Sequence, residues 1–464
     1  MKPKLFAARL AGIVLATGLA QAFEIASDQQ IDGASPQIVG VGDGNTVTPS
    51  GAAPNWTYNW ADRDGDGSSN AVATAGLTLG EHKFFAARGM STSRGTIVLD
   101  LSGGSITGDS GLAIATYRHD LESTASANQS GSDNLWFRNV ASIAMGGIDT
   151  RSRHGTGNAD YHAGHVTIGE EAARAGSVDL EYLYASSQDT SGTRAGPGDV
   201  NIYSSGNVTI AGDLRVDTFG WVGDILIDHV GDLTIGRIQA QTEGARVAGA
   251  RQSNIALDGG NSSGDLAVGD VFAYIAKTGG SFTGSPESHF DVRNYRHVSI
   301  GSISRYNLYP NTSNGFGGHV TITENIEGDI SIEGEIDLEH RGSSVGRFGI
   351  LRLACAGTIT LAELDLDKTR FASLSSGSGI STIEGELLNF DADGSGSGSI
   401  NAPVVTTQTA LRVPNDQRLL YKVRDGANAD LEGKVYRIAN ENGQAGTGGL
   451  LMPIPTRGTV LLFF

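Results

Sequence analysis

The sequence predicts an all-β chain wound as a parallel β-solenoid. Three observations carry this. First, residues 223–240, GDILIDHVGDLTIGRIQA, hold three short apolar alternations: Ile225-x-Ile227, Leu233-x-Ile235 and Ile238-x-Ala240. A period of two is the mark of a strand with one buried face. Second, the triplet recurs in fixed order. Its first strands start at 200, 225, 255, 290, 320 and 351, in steps of 25, 30, 35, 30 and 31. Third, the gaps inside a triplet are too short for a helix. Three such strands cannot bury their apolar faces alone and need copies stacked above and below. Looser copies start at 97, 135 and 166 and continue the rhythm. The expectation is about nine coils, each of three strands and roughly 25–35 residues.

The elements follow in order. Residues 1–22 read as a secretory signal: Lys2, Lys4 and Arg9 precede an apolar run over 10–19, and Ala20-Gln21-Ala22 fits a small-x-small cleavage site. Cleavage after Ala22 removes three cations and takes the formal charge from −18 to −21. The mature chain is then expected to be secreted, extracellular or held at the cell surface. No other stretch has the length of a membrane-spanning helix. Residues 23–95 are expected to hold an N-terminal cap, with NWTYNW covering an open strand edge, and the first strands. The solenoid is expected over 96–405, its last part rich in Gly and Ser. From 406 to 464 the coil repeat stops. LLYKVRDG and KVYRIANENG read there as antiparallel strands capping the far end.

Composition narrows the function. The acidic balance excludes a nucleic-acid binder, which needs a basic stripe, and an anionic membrane surface. The 66 glycines follow no G-x-y period, so they mark tight turns and not collagen. Cys355 is the single cysteine, which rules out an intrachain disulfide.

Asp62, Asp64 and Asp66, with Gly67 and Asn70 close behind, resemble half of a calcium loop, because Ca²⁺ needs close-set oxygens and a sharp turn. Ala73 stands where such a loop has its bidentate Glu. Ca²⁺ is therefore the one cofactor the sequence raises. His154, Asp160, His162 and His165 share one loop and raise a transition metal in the same way.

Ahead of each second strand stand Asn207, Asp232, Asp265, His297 and Asp329, short side chains suited to cap a turn. The long, variable loops all follow the third strand, so they should pile into one ridge. Function concentrates in loops on a rigid scaffold. The ridge carries Arg246, Arg251, Lys277, Tyr306, Tyr309, Arg341 and Arg347. Rings and guanidinium forks suit an extracellular polysaccharide, particularly an acidic one. Another surface protein is the other partner expected.

The repeat resembles the right-handed parallel β-helix shared by pectin-lyase-like enzymes, tailspikes and filamentous adhesins. The resemblance spans roughly 95–400 and is one of fold, which does not fix function. It implies two readings. One is a non-catalytic adhesin-like or matrix protein. The other is a polysaccharide lyase or glycoside hydrolase, for which Asp337 and Asp365, outward on consecutive coils, are the candidate carboxylates.

Overall fold

A computed structural model gives the architecture. It describes backbone and side chains over most of 99–116, 134–152, 163–187, 196–218, 222–242, 252–275, 288–306, 318–338, 350–362 and 372–379. Further strands between Phe23 and Pro453 are described by their backbone. The signal segment and the Asp62, Asp64, Asp66 loop lie outside the described residues.

The chain is a parallel β-solenoid. Twelve strands stack in one all-parallel sheet, from Asn70–Ala73 to Leu411–Arg412. The expected first strands are found: Thr96–Asp100, Asn134–Arg138, Val166–Ile168, Val200–Tyr203, Ile225–Asp228 and Ile255–Asp258, followed by Ser288–Tyr295, Gly318–Ile326 and Phe348–Cys355. They pair in register, so that Ile225 lies over Val200 and under Ile255. In-register pairing puts like side chains about 4.8 Å apart along the axis. The inward alternations fuse into one apolar cluster running from Leu99 to Leu374.

Two details correct the expectation. The turns built alike number six, not nine: those opening at Val200, Ile225, Ile255, Ser288, Gly318 and Phe348. In these six the second and third strands are one bent strand, as in Val208–Arg215, Leu233–Gln239 and Leu266–Phe272. A gap of one or two residues turns the side chains to another face while the strand runs on, and pairing resumes beyond the bend, as from Ile235 with Val268 to Arg237 with Asp270. Where the bend needs an extra residue, the register slips, as between Ile210 and Asp213. In the looser turns the strands do separate, as Ser142–Met145 and Gly147–Asp149.

At the ends, Asn55–Trp60 pairs parallel with Ile31–Asp32 on one side and Lys83–Arg88 on the other. Arg418–Val423, Val435–Ala439 and Leu450–Pro453 run antiparallel to one another.

Two columns of polar side chains hold the corners. Before the bent strands, Asn207 Oδ1 accepts from the Asp232 amide at 3.0 Å and Asp232 Oδ1 from the Asp265 amide at 2.9 Å. Farther on, His297 Nδ1 accepts from the Asp329 amide at 3.1 Å and Asp329 Oδ1 from the Thr358 amide at 2.7 Å. The capping expected of these residues is real, but each serves the turn that follows it. A second column precedes the short strands. Asn134, His165, Asp199, Asp224 and Asn254 each accept from the backbone N–H one turn on, at 2.8–3.1 Å. The final pair, His289 and His319, stacks with ring centroids 4.8 Å apart.

The glycines answer to the same stacking. Gly264 sits over the Gly231 carbonyl, so near that a Cβ would run into that oxygen. We expect Gly264→Ala to force the two turns apart. The loss should fall among the larger single-residue effects, about 3 kcal/mol or more. A denaturant melt checks this, and an unchanged midpoint would contradict the stacking.

The interior also holds a polar pair. Tyr295 Oη and His229 Nε2 share a hydrogen bond of 2.8 Å across two turns, both side chains fully buried. Tyr295 passes the Gly259 rung, where a Cβ would lie 3.1 Å from its ring. Among the described residues His229 Nδ1 has no partner. Burial pushes the His229 pKa down to about 4. An unfolded His titrates near 6.5, so below that pH the unfolded chain binds the extra proton. The stability is full above pH 6.5 and is lost as pH falls toward 4, by roughly 3 kcal/mol. Melting temperature should therefore drop over this window in the natural chain and much less in His229→Gln. Equal slopes would rule out His229 as the cause.

Candidate functional site

The site builds on the outer face where each bent strand ends. Register places Asp149, Tyr184, Arg215 and Gln239 in one outward column. The column continues through Phe272, Ser304, Asp337 and Asp365. Two residues on, Arg151, Asp217, Gln241, Tyr274 and Tyr306 form a second outward column. Backbone hydrogen bonds continue the ladder to this point, with Thr242 donating to Tyr274 at 2.9 Å and Ile275 to Tyr306 at 3.1 Å. The two columns make a strip along the solenoid axis.

The segments after Thr242, Ile275, Tyr306 and Leu338 hold Arg246, Arg251, Lys277, Tyr309, Arg341 and Arg347, and these six lie outside the described residues. Their roots are stacked on one edge, beside the strip. Tyr306 is the one predicted ligand residue whose side chain is described. Its ring stacks on Tyr274 with centroids 4.4 Å apart and planes within 11°. Phe272 meets Tyr274 edge-on at 6.4 Å. At the other end of the strip Tyr184 stacks on Tyr182 at 4.5 Å. The guanidiniums of Arg151 and Arg215 lie 5.0 and 5.5 Å from the Tyr184 ring centroid. Burial raises the Tyr184 hydroxyl above the usual tyrosine range.

Beneath the strip sits Arg305, which is fully buried. It takes an inward slot where the two preceding turns have Ala240 and Ala273, whose small side chains leave room. Arg305 Nη2 donates to the Ser253 carbonyl at 3.0 Å and to Ser288 Oγ at 3.2 Å. Gln252 Nε2 donates back to the Arg305 and Tyr306 carbonyls at 2.9 and 3.1 Å. These bonds tie together the ends of three successive ridge loops, at Gln252, Ser288 and Tyr306. Arg305 Nε and Nη1 have no partner among the described residues. Burial pulls its pKa down to about 9, so it stays charged at neutral pH.

A buried cation costs several kcal/mol, so Arg305 is a poor choice for stability alone. Its position at the loop roots accounts for it better. Arg305→Met keeps the bulk and removes the bonds. We expect the fold to persist with little change in melting temperature. Limited trypsin treatment should cut faster at Arg246, Arg251 and Lys277. Unchanged cutting would show that Arg305 does not hold the roots.

Asp337 and Asp365 are register partners on adjacent turns, so their backbones lie about 4.8 Å apart. Asp337 is half-buried, and the Asp365 side chain lies outside the description. The guanidinium in their column, Arg215, stands four rungs away, about 19 Å.

Of the metal readings, Asn70 opens the Asn70–Ala73 strand. His165 is engaged in the corner column, its Nδ1 taking the Asp199 amide at 2.8 Å. Among the described residues no three His, Cys, Asp or Glu side chains are grouped to hold an ion. Cys355 is half-buried, and burial pushes its thiol up, away from reactivity.

Sequence reading missed Gln239, Gln241, Phe272 and Tyr274. The signal was present. In VFAYI the inward residues are Val271 and Ala273, which turns both rings outward.

No helix among the described residues is long and apolar enough to cross a membrane. Compared with known protein families, curated proteins and solved structures, the chain matches none. Its resemblance to parallel β-helix proteins is one of fold.

Proposed function

We propose that this chain is a secreted or surface-held, non-catalytic solenoid, adhesin-like or part of an extracellular matrix. In this reading it binds polysaccharide along the outer strip and the loop ridge beside it. One observation carries the reading. The long loops root on a single edge, tied from inside by Arg305, next to a strip bearing Tyr184, Phe272, Tyr274 and Tyr306. A rigid scaffold presenting adaptable loops and rings is the arrangement glycan recognition needs. The loop residues Arg246, Arg251, Lys277, Tyr309, Arg341 and Arg347 are the proposed further contacts. Ca²⁺ on Asp62, Asp64, Asp66 and Asn70 belongs to the same proposal, as does cleavage after Ala22.

A second reading has its own observation. Carboxylates in register on adjacent turns can approach the roughly 5 Å separation used by retaining glycoside hydrolases. Among the described residues no basic side chain stands near them in their column, which weighs against a lyase.

The test takes residues 23–464 against immobilised acidic and neutral polysaccharides, with and without Ca²⁺. Binding without products is expected, with affinity reduced several-fold in Tyr306→Ala. New reducing or unsaturated ends that vanish in Asp337→Ala or Asp365→Ala would replace this reading with the hydrolytic one. Failure to bind any polysaccharide would end it.

A further inference from the structure

The middle of the strip carries no charge. Over three successive rungs its outward residues are Gln239, Gln241, Phe272, Tyr274, Ser304 and Tyr306. That is notable in a chain with formal charge −18. The guanidiniums at the strip's near end are already committed. Arg151 is paired with Asp149, and Arg215 Nη2 lies 2.8 Å from Asp217. Other described arginines on the scaffold are paired too: Arg174 with Asp228 at 2.6 Å, Arg237 with Asp213 at 2.9 Å and Arg296 with Asp265. A polyanion would find its cations on the strip neutralised and Asp337 beyond the patch repelling it.

Within the patch one polar group stands unused. Gln241 is only 8% exposed, and its Oε1 has no hydrogen-bond partner among the described residues. A buried carbonyl oxygen without a donor is a cost of about 1–3 kcal/mol. Turned outward about its side-chain torsions, the same oxygen meets a ligand hydroxyl and that cost is relieved. On either side stand Asp217 and Tyr274 in the same column, with Phe272 diagonally opposite. Phe272 is turned 79° from Tyr274, so ring face and ring edge both line the patch.

We infer that the strip takes an uncharged, hydroxyl-rich glycan, lying over Phe272 and Tyr274 with a sugar hydroxyl donating to Gln241. This rests on the polysaccharide reading and makes it specific: the scaffold selects neutral chains, contrary to the acidic ligand expected from the loop arginines alone.

Affinity electrophoresis separates the possibilities. The protein is run through gels cast with neutral polymers (a glucan, a mannan, a galactan, a xylan) and with acidic ones (polygalacturonate, alginate). Retardation by at least one neutral polymer and by neither acidic one is expected. Gln241→Leu, close in size, should weaken the neutral interaction about tenfold, which corresponds to about 1.4 kcal/mol. Its circular dichroism melt should be no lower than the natural chain's, because the unpaired oxygen is gone. If Gln241→Leu fails to fold, Phe272→Ala gives the same reading from the neighbouring rung. Retention by the acidic polymers only, or full neutral binding in both variants, overturns the inference while leaving the polysaccharide reading in place. Retention by no polymer overturns both.

Discussion

Everything in this molecule depends on the parallel backbone ladder being kept in register from one turn to the next. A ladder of that kind places residue upon equivalent residue at about 4.8 Å, so a choice made in one turn is felt in both neighbours. Apolar alternations become continuous stripes, from Val208 through Leu233, Leu266 and Val298 to Ile330 and Ile359. Polar residues become columns in the same way. The corner amides at Asp232, Asp265 and Thr358 are satisfied only because a side chain with a free acceptor stands one turn earlier.

The same constraint threatens the surface. Equivalent positions repeat, so acids are set against acids: Asp228 lies in register with Asp258. The chain relieves this with arginines that reach across turns. Arg174 forms two hydrogen bonds to the Asp228 carboxylate, at 2.7 and 2.6 Å, and Arg293 binds Asp258 at 2.7 Å. Half-exposed pairs contribute little to stability individually. Their larger effect is to remove like-charge repulsion from a stack that cannot slide to avoid it.

Much of this could be read from the sequence, and the failures have physical causes. Strand starts emerge because burial on one face imposes a period of two on side chains. The fusion of second and third strands does not emerge. Gly236 and Gly301 look like breaks in side-chain pattern, whereas the strand runs on through them. The column before the bent strands was visible at Asp232 and Asp265. The column before the short strands was not, although its members stand immediately ahead of the apolar starts at 135, 166, 200, 225 and 255. Asn134, His165, Asp199, Asp224 and Asn254 are of three residue types. They share an acceptor atom at the same reach, which composition does not reveal. Arg305 fell in a slot the alternation marked as inward. That such a slot holds a guanidinium, bound to Ser253 and Ser288, needs the start of its own turn and of the one before to be seen at once. The register of Asp337 with Asp365 was legible for the opposite reason, since it follows from strand spacing alone.

The corner columns have a direction. In each, the side-chain acceptor belongs to the earlier turn and the amide donor to the later one. A turn arriving at the C-terminal end of the stack meets acceptors already fixed in place. A turn arriving at the N-terminal end would meet only donors and would have to bring ordered acceptors itself. The stack is thus a template with a growing end, matched to the order in which the chain emerges from a ribosome.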